Sequence, residues 1–212
     1  MVFYPITTLV QAGITDILLV TSGPHSGDFI SVLKNGKELG VKHLEYAYQE
    51  KPDGGIADAL LLAEDFADDG NITVILGDNT TDADLKEATE QFQDGAMIFL
   101  KKIGNKKELS RFGVPVFDGK TQKVIRIDEK PKNPESDFAV TGLYIYDKNV
   151  FSYIKECTPS GRNELEITDV NNHYITHDAL SWYELKGFWS DAGTFETLYI
   201  TNKYWAEKGG MI

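Results

Sequence analysis

A chain of 212 residues, 42% hydrophobic and 25% charged, is long enough to bury a core and has the composition of an ordinary globular domain. With 33 acidic and 21 basic residues the net charge is −12, and no lysine–arginine run is long enough to form a basic face, so nucleic acid is not an expected partner. A single cysteine, Cys157, argues against a disulfide framework or a thiolate metal centre; neither a membrane-length apolar run nor a signal-peptide pattern is present, so a cytoplasmic protein without membrane attachment is expected.

Pro5 opens the first expected helix, where its missing N–H is harmless; Phe3, Ile6 and Val10 supply an apolar stripe and Gly13 suits the cap. The run 17–20 reads as a buried strand, followed by a helix over about 27–33 and a strand over 44–48. Ile56, Leu60, Ala63 and Phe66 mark the face of one further helix, and the continuous apolar run 72–76 reads as a parallel strand covered on both faces. A helix over 85–92 leads to a strand at 96–100, and this alternation predicts an α/β fold, a Rossmann-like open and mostly parallel sheet flanked by helices. Beyond Arg111 the pattern changes. Strands 114–117 and 124–127 flank the turn at 118–120, a hairpin signal, and a strand follows at 140–146. Helices are expected over 148–156 and 164–174, then short strands near 182–185 and 188–189. A final amphipathic helix carries Phe195, Leu198, Tyr199 and Trp205. No linker, repeat or low-complexity tract divides the chain, which predicts one domain over 1–212 with halves at about 1–110 and 111–212, the second a mixed lobe.

Polar motifs punctuate this pattern. Asp78 follows the apolar run ending in Leu76-Gly77, and Asp191 follows Phe188-Trp189-Ser190, so each carboxylate sits beyond a strand, where α/β sheets present ligand-binding groups. Two such carboxylates can share one Mg²⁺, a hard cation that takes one or two carboxylates plus substrate phosphates. The plainer alternatives are a turn residue for Asp78 and a helix N-cap for Asp191. In Asp128-Glu129-Lys130-Pro131 the proline ends a strand, the lysine can neutralise a phosphate and the glutamate can accept sugar hydroxyls. Arg162 leads into a helix and can face a phosphate, or can simply be solvated. The pair Gly54-Gly55 joins a strand to a helix and lets backbone approach a planar base or a phosphate, or is a plain turn. His25, His43, His173 and His177 form no ligand pattern, and Cys157 reads as a buried or half-buried structural thiol.

Together with Gln49, Ala139-Val140-Thr141-Gly142-Leu143-Tyr144 and Glu164-Leu165-Glu166-Ile167-Thr168-Asp169, these motifs occur in an order that resembles the glucose-1-phosphate thymidylyltransferases among the sugar nucleotidyltransferases. The resemblance covers residues 1 to about 205 and implies a reaction of dTTP with glucose 1-phosphate, giving dTDP-glucose and pyrophosphate. It further implies a Mg²⁺ cofactor on Asp78 and Asp191, a nucleotide site formed by Gln49, Gly54, Gly55 and Asp78, and a sugar-phosphate site formed by Gly113, Glu129, Lys130, Thr141 and Arg162. Asp78, Lys130 and Asp191 would be catalytic, in a homo-oligomer supplying deoxysugar or surface-polysaccharide precursors. Asp58 stands where the family often has glutamine, on the base-binding side.

Family members begin with a strand, a glycine-rich loop containing Gly-Thr-Arg and a lysine-bearing segment, ahead of the helix that starts here near Met1. The resemblance therefore implies a domain truncated at its N-terminus relative to the family. Inactivity of the chain as written is one expected outcome, and apolar faces uncovered beside the neighbouring strands are another, with reduced stability or self-association. The alternatives are a non-catalytic nucleotide-sugar-binding or partner subunit, or transfer of a uridylyl or cytidylyl group.

Overall fold

A computed structural model of the chain describes residues 1–209. Helix α1 (Phe3–Gln11) buries Ile6 and Leu9, and Gly13, at φ +88°, turns the chain out of it as its position predicts. A βαβ unit follows: β1 (Asp16–Thr21), α2 (Ser26–Leu33) and β2 (His43–Tyr48), with β1 and β2 parallel from Asp16↔His43 to Thr21↔Tyr48. The single helix expected over 56–66 is two short ones, α3 (Ile56–Leu61) and α4 (Glu64–Ala67). Next come β3 (Ile72–Ile75), an unanticipated β4 (Asn79–Thr81), α5 (Lys86–Gln91), β5 (Ala96–Lys102) and α6 (Lys106–Leu109). The expected hairpin is β6 (Gly113–Phe117) and β7 (Val124–Glu129), with Asp118 Oδ1 accepting from the backbone N–H of Lys120 and Thr121 in the turn. The chain ends with β8 (Phe138–Tyr146), α7 (Asn149–Glu156), α8 (Ile167–Thr176), β9 (Leu180–Glu184), β10 (Trp189–Asp191) and α9 (Phe195–Glu207).

The fold is α/β, with parallel pairs β1–β2 and β5–β9 and helices packed on the strands. The run 72–76 does not play the part its composition suggested. β3 is antiparallel to β8 and only partly buried, because β8 lies between β3 and β5 in the order β3-β8-β5-β9. The strand covered on both faces is β8. Tyr144 and Tyr146 face a core with Ile154, Val170 and Tyr174 of α7 and α8, while Leu143 and Ile145 face a second core with Leu85, Ala88 and Phe92 beside α5. That is the two-residue period of a strand sandwiched between helices.

Among the described residues β1 pairs only with β2 and β3 only with β8, so each has an open edge. Both edges face a cavity of about 1040 Å³, walled by Ile6 and Leu9 of α1 and by Ile56, Leu60 and Ala63 near α3. The opening expected beside these strands is present. α9 is held by Trp205, stacked on Tyr4 at 5.5 Å and donating from Nε1 to Thr80 Oγ1 at 2.8 Å. Its buried side is Thr201 and Trp205; Phe195 and Tyr199, expected on the inner face, are 95% and 67% exposed. Cys157 is half-buried as expected, and burial, followed by nearby Asp169 and Glu156, pushes its thiol pKa up. Among the described residues no helix is long and apolar enough to cross a membrane, and no three His, Cys, Asp or Glu side chains are grouped to hold a metal.

Candidate active site

A second cavity, of about 550 Å³, lies beyond the carboxyl ends of β2, β3 and β7. Its size is that of a small-molecule site. Of the residues singled out in the sequence, Gln49, Gly55, Asp78, Gly113, Glu129, Lys130, Thr141, Arg162 and Asp191 all line it; Gly54 sits just behind the wall.

The acidic corner is built by the short pair β4–β10, where Asn79 lies opposite Asp191 and Asp78 immediately precedes Asn79. The N–H of Ala192 donates to the Asp78 carbonyl at 2.8 Å, locking the two strand ends together. Asp191 does not cap a helix: Thr194 caps α9, in a reciprocal box with Thr197. The Asp191 carboxylate instead pairs with Arg111, Nη2 to Oδ2 at 2.8 Å. Burial raises the Asp191 pKa, Arg111 draws it down and Asp78 pushes it up, leaving it above the ordinary carboxylate value. Asp78 is oriented by Asn79, whose Nδ2 donates to Asp78 Oδ1 at 2.8 Å. The same Asn79 accepts at Oδ1 from the Gly142 N–H at 2.9 Å and from Trp189 Nε1 at 2.8 Å. Two oxygen-donor side chains, one of them desolvated beside the other, suit a hard divalent cation that completes its shell with water and phosphate oxygens.

The opposite wall is cationic and acidic by turns. Glu129 ends β7, and Lys130 follows at φ +46°, its N–H donating to the Phe112 carbonyl at 3.1 Å. Pro131 then stops the strand, as expected. Arg162 lies among three carboxylates: Glu166 at 2.8 Å, Glu129 at 3.3 Å and Glu164 at 3.6 Å. A phosphate reaching Arg162 therefore competes with Glu166. Thr168 Oγ1 donates to Glu129 Oε2 at 2.6 Å. Thr141 is fully buried and commits its hydroxyl hydrogen to the Phe99 carbonyl at 2.8 Å, so it meets the cavity as part of the β8 wall.

The third wall is the loop from β2 to α3. Gly55 has φ +91° and ψ 174°, a conformation essentially restricted to glycine, and an added Cβ would lie 2.5 Å from the Leu165 carbonyl oxygen. That contact belongs to a clamp in which the Leu165 N–H donates to Gly54 O at 2.9 Å and the Ala57 N–H to Leu165 O at 3.3 Å. The clamp keeps 164–166 extended, which is why α8 begins at Ile167 rather than at the expected residue 164. Gln49 is buried at the end of β2, with Nε2 donating to Asp58 Oδ2 at 2.8 Å and to Gly55 O at 3.2 Å.

Sequence reasoning did not single out Asn79, Arg111, Glu166, Thr168 or Trp189, all of which line the cavity. Asn79, Glu166, Thr168 and Trp189 lie inside motifs already recognised, and Arg111 lies two residues before Gly113; proximity was the available signal.

Residues 1–208 match the family described as nucleotidyl transferase. The glucose-1-phosphate thymidylyltransferase of Neisseria gonorrhoeae is 40% identical over 206 residues, which span 94% of this chain and 69% of that protein. The protein of the same name from Actinoplanes sp. is 37% identical over 199 residues, 92% of this chain and 64% of that one. A crystal structure from Bacillus anthracis, provisionally assigned as a glucose-1-phosphate thymidylyltransferase and containing sucrose, superposes with a TM-score of 0.87 at 44% identity, covering 96% of this chain and 81% of that one. A UDP-glucose pyrophosphorylase complexed with UDP-glucose shares the fold, with a TM-score of 0.82 at 22% identity over 97% of this chain and 86% of that one.

Proposed function

The chain belongs to the nucleotidyl transferase family, and from that premise we propose that it transfers a thymidylyl group from dTTP to glucose 1-phosphate, giving dTDP-glucose and pyrophosphate. The observation that carries this reading is one cavity holding two strand-end carboxylates, Asp78 and Asp191, opposite Glu129, Lys130 and Arg162. In the reaction a phosphate oxygen of glucose 1-phosphate forms a bond to the α-phosphorus of dTTP while the bond from that phosphorus to the bridging oxygen breaks, and pyrophosphate leaves with those electrons. The attacking oxygen is already anionic, so catalysis needs alignment and neutralisation of charge more than a base.

Asp78 and Asp191 would hold Mg²⁺, which when bound supplies the positive charge that neutralises the triphosphate. Asn79 keeps Asp78 aimed, and Arg111 balances Asp191. Lys130 and Arg162 receive the phosphate of the sugar, Glu129 accepts sugar hydroxyls, and Gly113 and the buried Thr141 leave room for the ring. On the base side Gly54 and Gly55 allow close approach, and Gln49 offers the base a hydrogen-bonding edge. The reaction belongs in the cytoplasm, where nucleoside triphosphates are available, and the exposed Phe195 and Tyr199 of α9 offer a contact for a homo-oligomer.

The test is pyrophosphate release from dTTP and glucose 1-phosphate with Mg²⁺, beside Asp78→Asn and alongside calorimetric titration with dTDP-glucose. Release that disappears in the variant supports the proposal. Binding without release supports the non-catalytic alternative, and neither release nor binding overturns both.

A further inference from the structure

We propose that Asp58 determines which pyrimidine the site accepts, by fixing the orientation of the Gln49 amide; the inference rests on the nucleotide-binding reading above. Both groups that meet Gln49 Nε2, the Asp58 carboxylate at 2.8 Å and the Gly55 carbonyl at 3.2 Å, are acceptors only. Between them they take both hydrogens of the amide. Turning the amide over would set Oε1 against a carboxylate and a carbonyl, two acceptor–acceptor contacts in a buried place, so the network itself decides the orientation. The Asp58 carboxylate lies against the loop at Gly54, where the missing side chain makes room for it: any Cβ there would collide with it.

What Gln49 then presents is Oε1, which has no hydrogen-bond partner among the described residues, on a side chain that lines the cavity. A fixed acceptor pairs with a base that offers a ring N–H. Thymine and uracil carry a hydrogen on N3, whereas N3 of cytosine is itself an acceptor, so cytosine meets Oε1 only by shifting until its 4-amino group donates instead. The consequence is a site that favours thymine and uracil over cytosine. Were residue 58 able to donate as well as accept, the Gln49 amide could turn over and this distinction would fade. Asp58 acts here as a positioning residue, through Gln49.

The experiment is calorimetric titration of the chain, with Mg²⁺, by dTTP, UTP and dCTP, repeated for Asp58→Asn and Asp58→Ala, with circular dichroism melts to show that the variants fold. The unsubstituted protein should bind dTTP and UTP about tenfold or more tightly than dCTP, the scale of an unpaired polar contact in a buried site. In Asp58→Asn and Asp58→Ala, where the Gly55 carbonyl alone still requires the Gln49 Nε2, the dTTP-to-dCTP ratio should fall severalfold. A purely structural role would weaken all nucleotides together and leave the ratio unchanged, which would overturn the inference, as would equal binding of dTTP and dCTP by the unsubstituted protein. Absence of binding by every nucleotide would overturn the function proposed above and this inference with it. An undiminished preference for dTTP over dCTP in a folded Asp58→Asn variant would sink the inference alone.

Discussion

Replacing Asn79 with alanine removes a hub rather than a single bond. The side chain is 3% exposed and serves three groups: it donates to Asp78 and accepts from the Gly142 N–H and from Trp189 Nε1. In Asn79→Ala two donors lose their acceptor. In the variant the Gly142 N–H is still flanked by an apolar group, since an added Cβ there would lie 2.8 Å from Leu76 Cδ1. Each stranded buried donor costs about 1–3 kcal/mol, which puts the loss at roughly 2–6 kcal/mol, a large share of the ~5–15 kcal/mol that holds a typical domain together. Trp189→Phe removes one donor and leaves Asn79 still serving the others, so it should cost only about 1 kcal/mol. The pair therefore should not be additive. With Asn79 gone, Trp189→Phe also removes a stranded donor, so the double variant should be more stable than the sum of the two by about 1 kcal/mol or more. Urea unfolding, followed by circular dichroism so that the loss of Trp189 does not alter the probe, measures all four proteins. Strict additivity, or a loss below about 0.5 kcal/mol for Asn79→Ala, would refute the hub and with it the account of how Asp78 is aimed.

Gly55→Ala should destabilise the protein by about 1–3 kcal/mol from its backbone conformation alone, and by more if the Leu165 clamp opens; a urea midpoint unchanged within error would show that the loop relaxes freely. Asp191→Asn tests the electrostatics of the acidic corner. A carboxylate whose folded pKa is raised, as burial raises this one, contributes stability that is present below its ordinary value of 3.8 and lost as pH rises through the folded value. Ionised Asp191 is thus a net cost at neutral pH, and the asparagine variant, freed of it, should melt higher at pH 7–8. The gain should vanish near pH 3.5, while turnover is abolished throughout. A variant less stable than the unsubstituted protein at pH 8 would mean that the ion pair with Arg111 outweighs burial.

Element positions were legible where side-chain periodicity is set locally. The runs that became β1, β2 and β5, the turn at Asp118 and the glycine after α1 each owe their conformation to neighbours within a few residues. Strand direction is a different matter. Ile72-Thr73-Val74-Ile75 has the composition of a buried strand whichever way its partner runs, and the partner, β8, starts more than sixty residues later. Insertion of β8 between β3 and β5 turns an apparently parallel succession into an antiparallel trio, and no local pattern records it. The exposed Phe195 and Tyr199 have the same origin. The sequence grouped Phe195, Leu198, Tyr199 and Trp205 on α9, but the indole of Trp205, tied to Thr80, turns Thr201 and Trp205 inward and leaves Phe195 and Tyr199 outside.

The site divides along the same line. Carboxylates and cations beyond strand ends stand out because nothing in a core calls for them, whereas Asn79 and Thr168 spend their polar atoms on other protein groups and look like ordinary polar residues in the chain. The segment Glu164-Leu165-Glu166 shows why the distinction matters. Held extended, it alternates as a strand does: Glu164 and Glu166 reach Arg162 on the sugar-phosphate wall, while the backbone of Leu165 between them grips Gly54 and Ala57 on the base wall. Two residues further on, Thr168 ties in Glu129. Helical geometry from residue 164 would commit the Leu165 carbonyl to the N–H of Asp169, release the Ala57 N–H and part the walls. The late start of α8 therefore joins the two halves of the cavity, and loosening the loop at Gly55 should be felt at Arg162 as well as at Gln49.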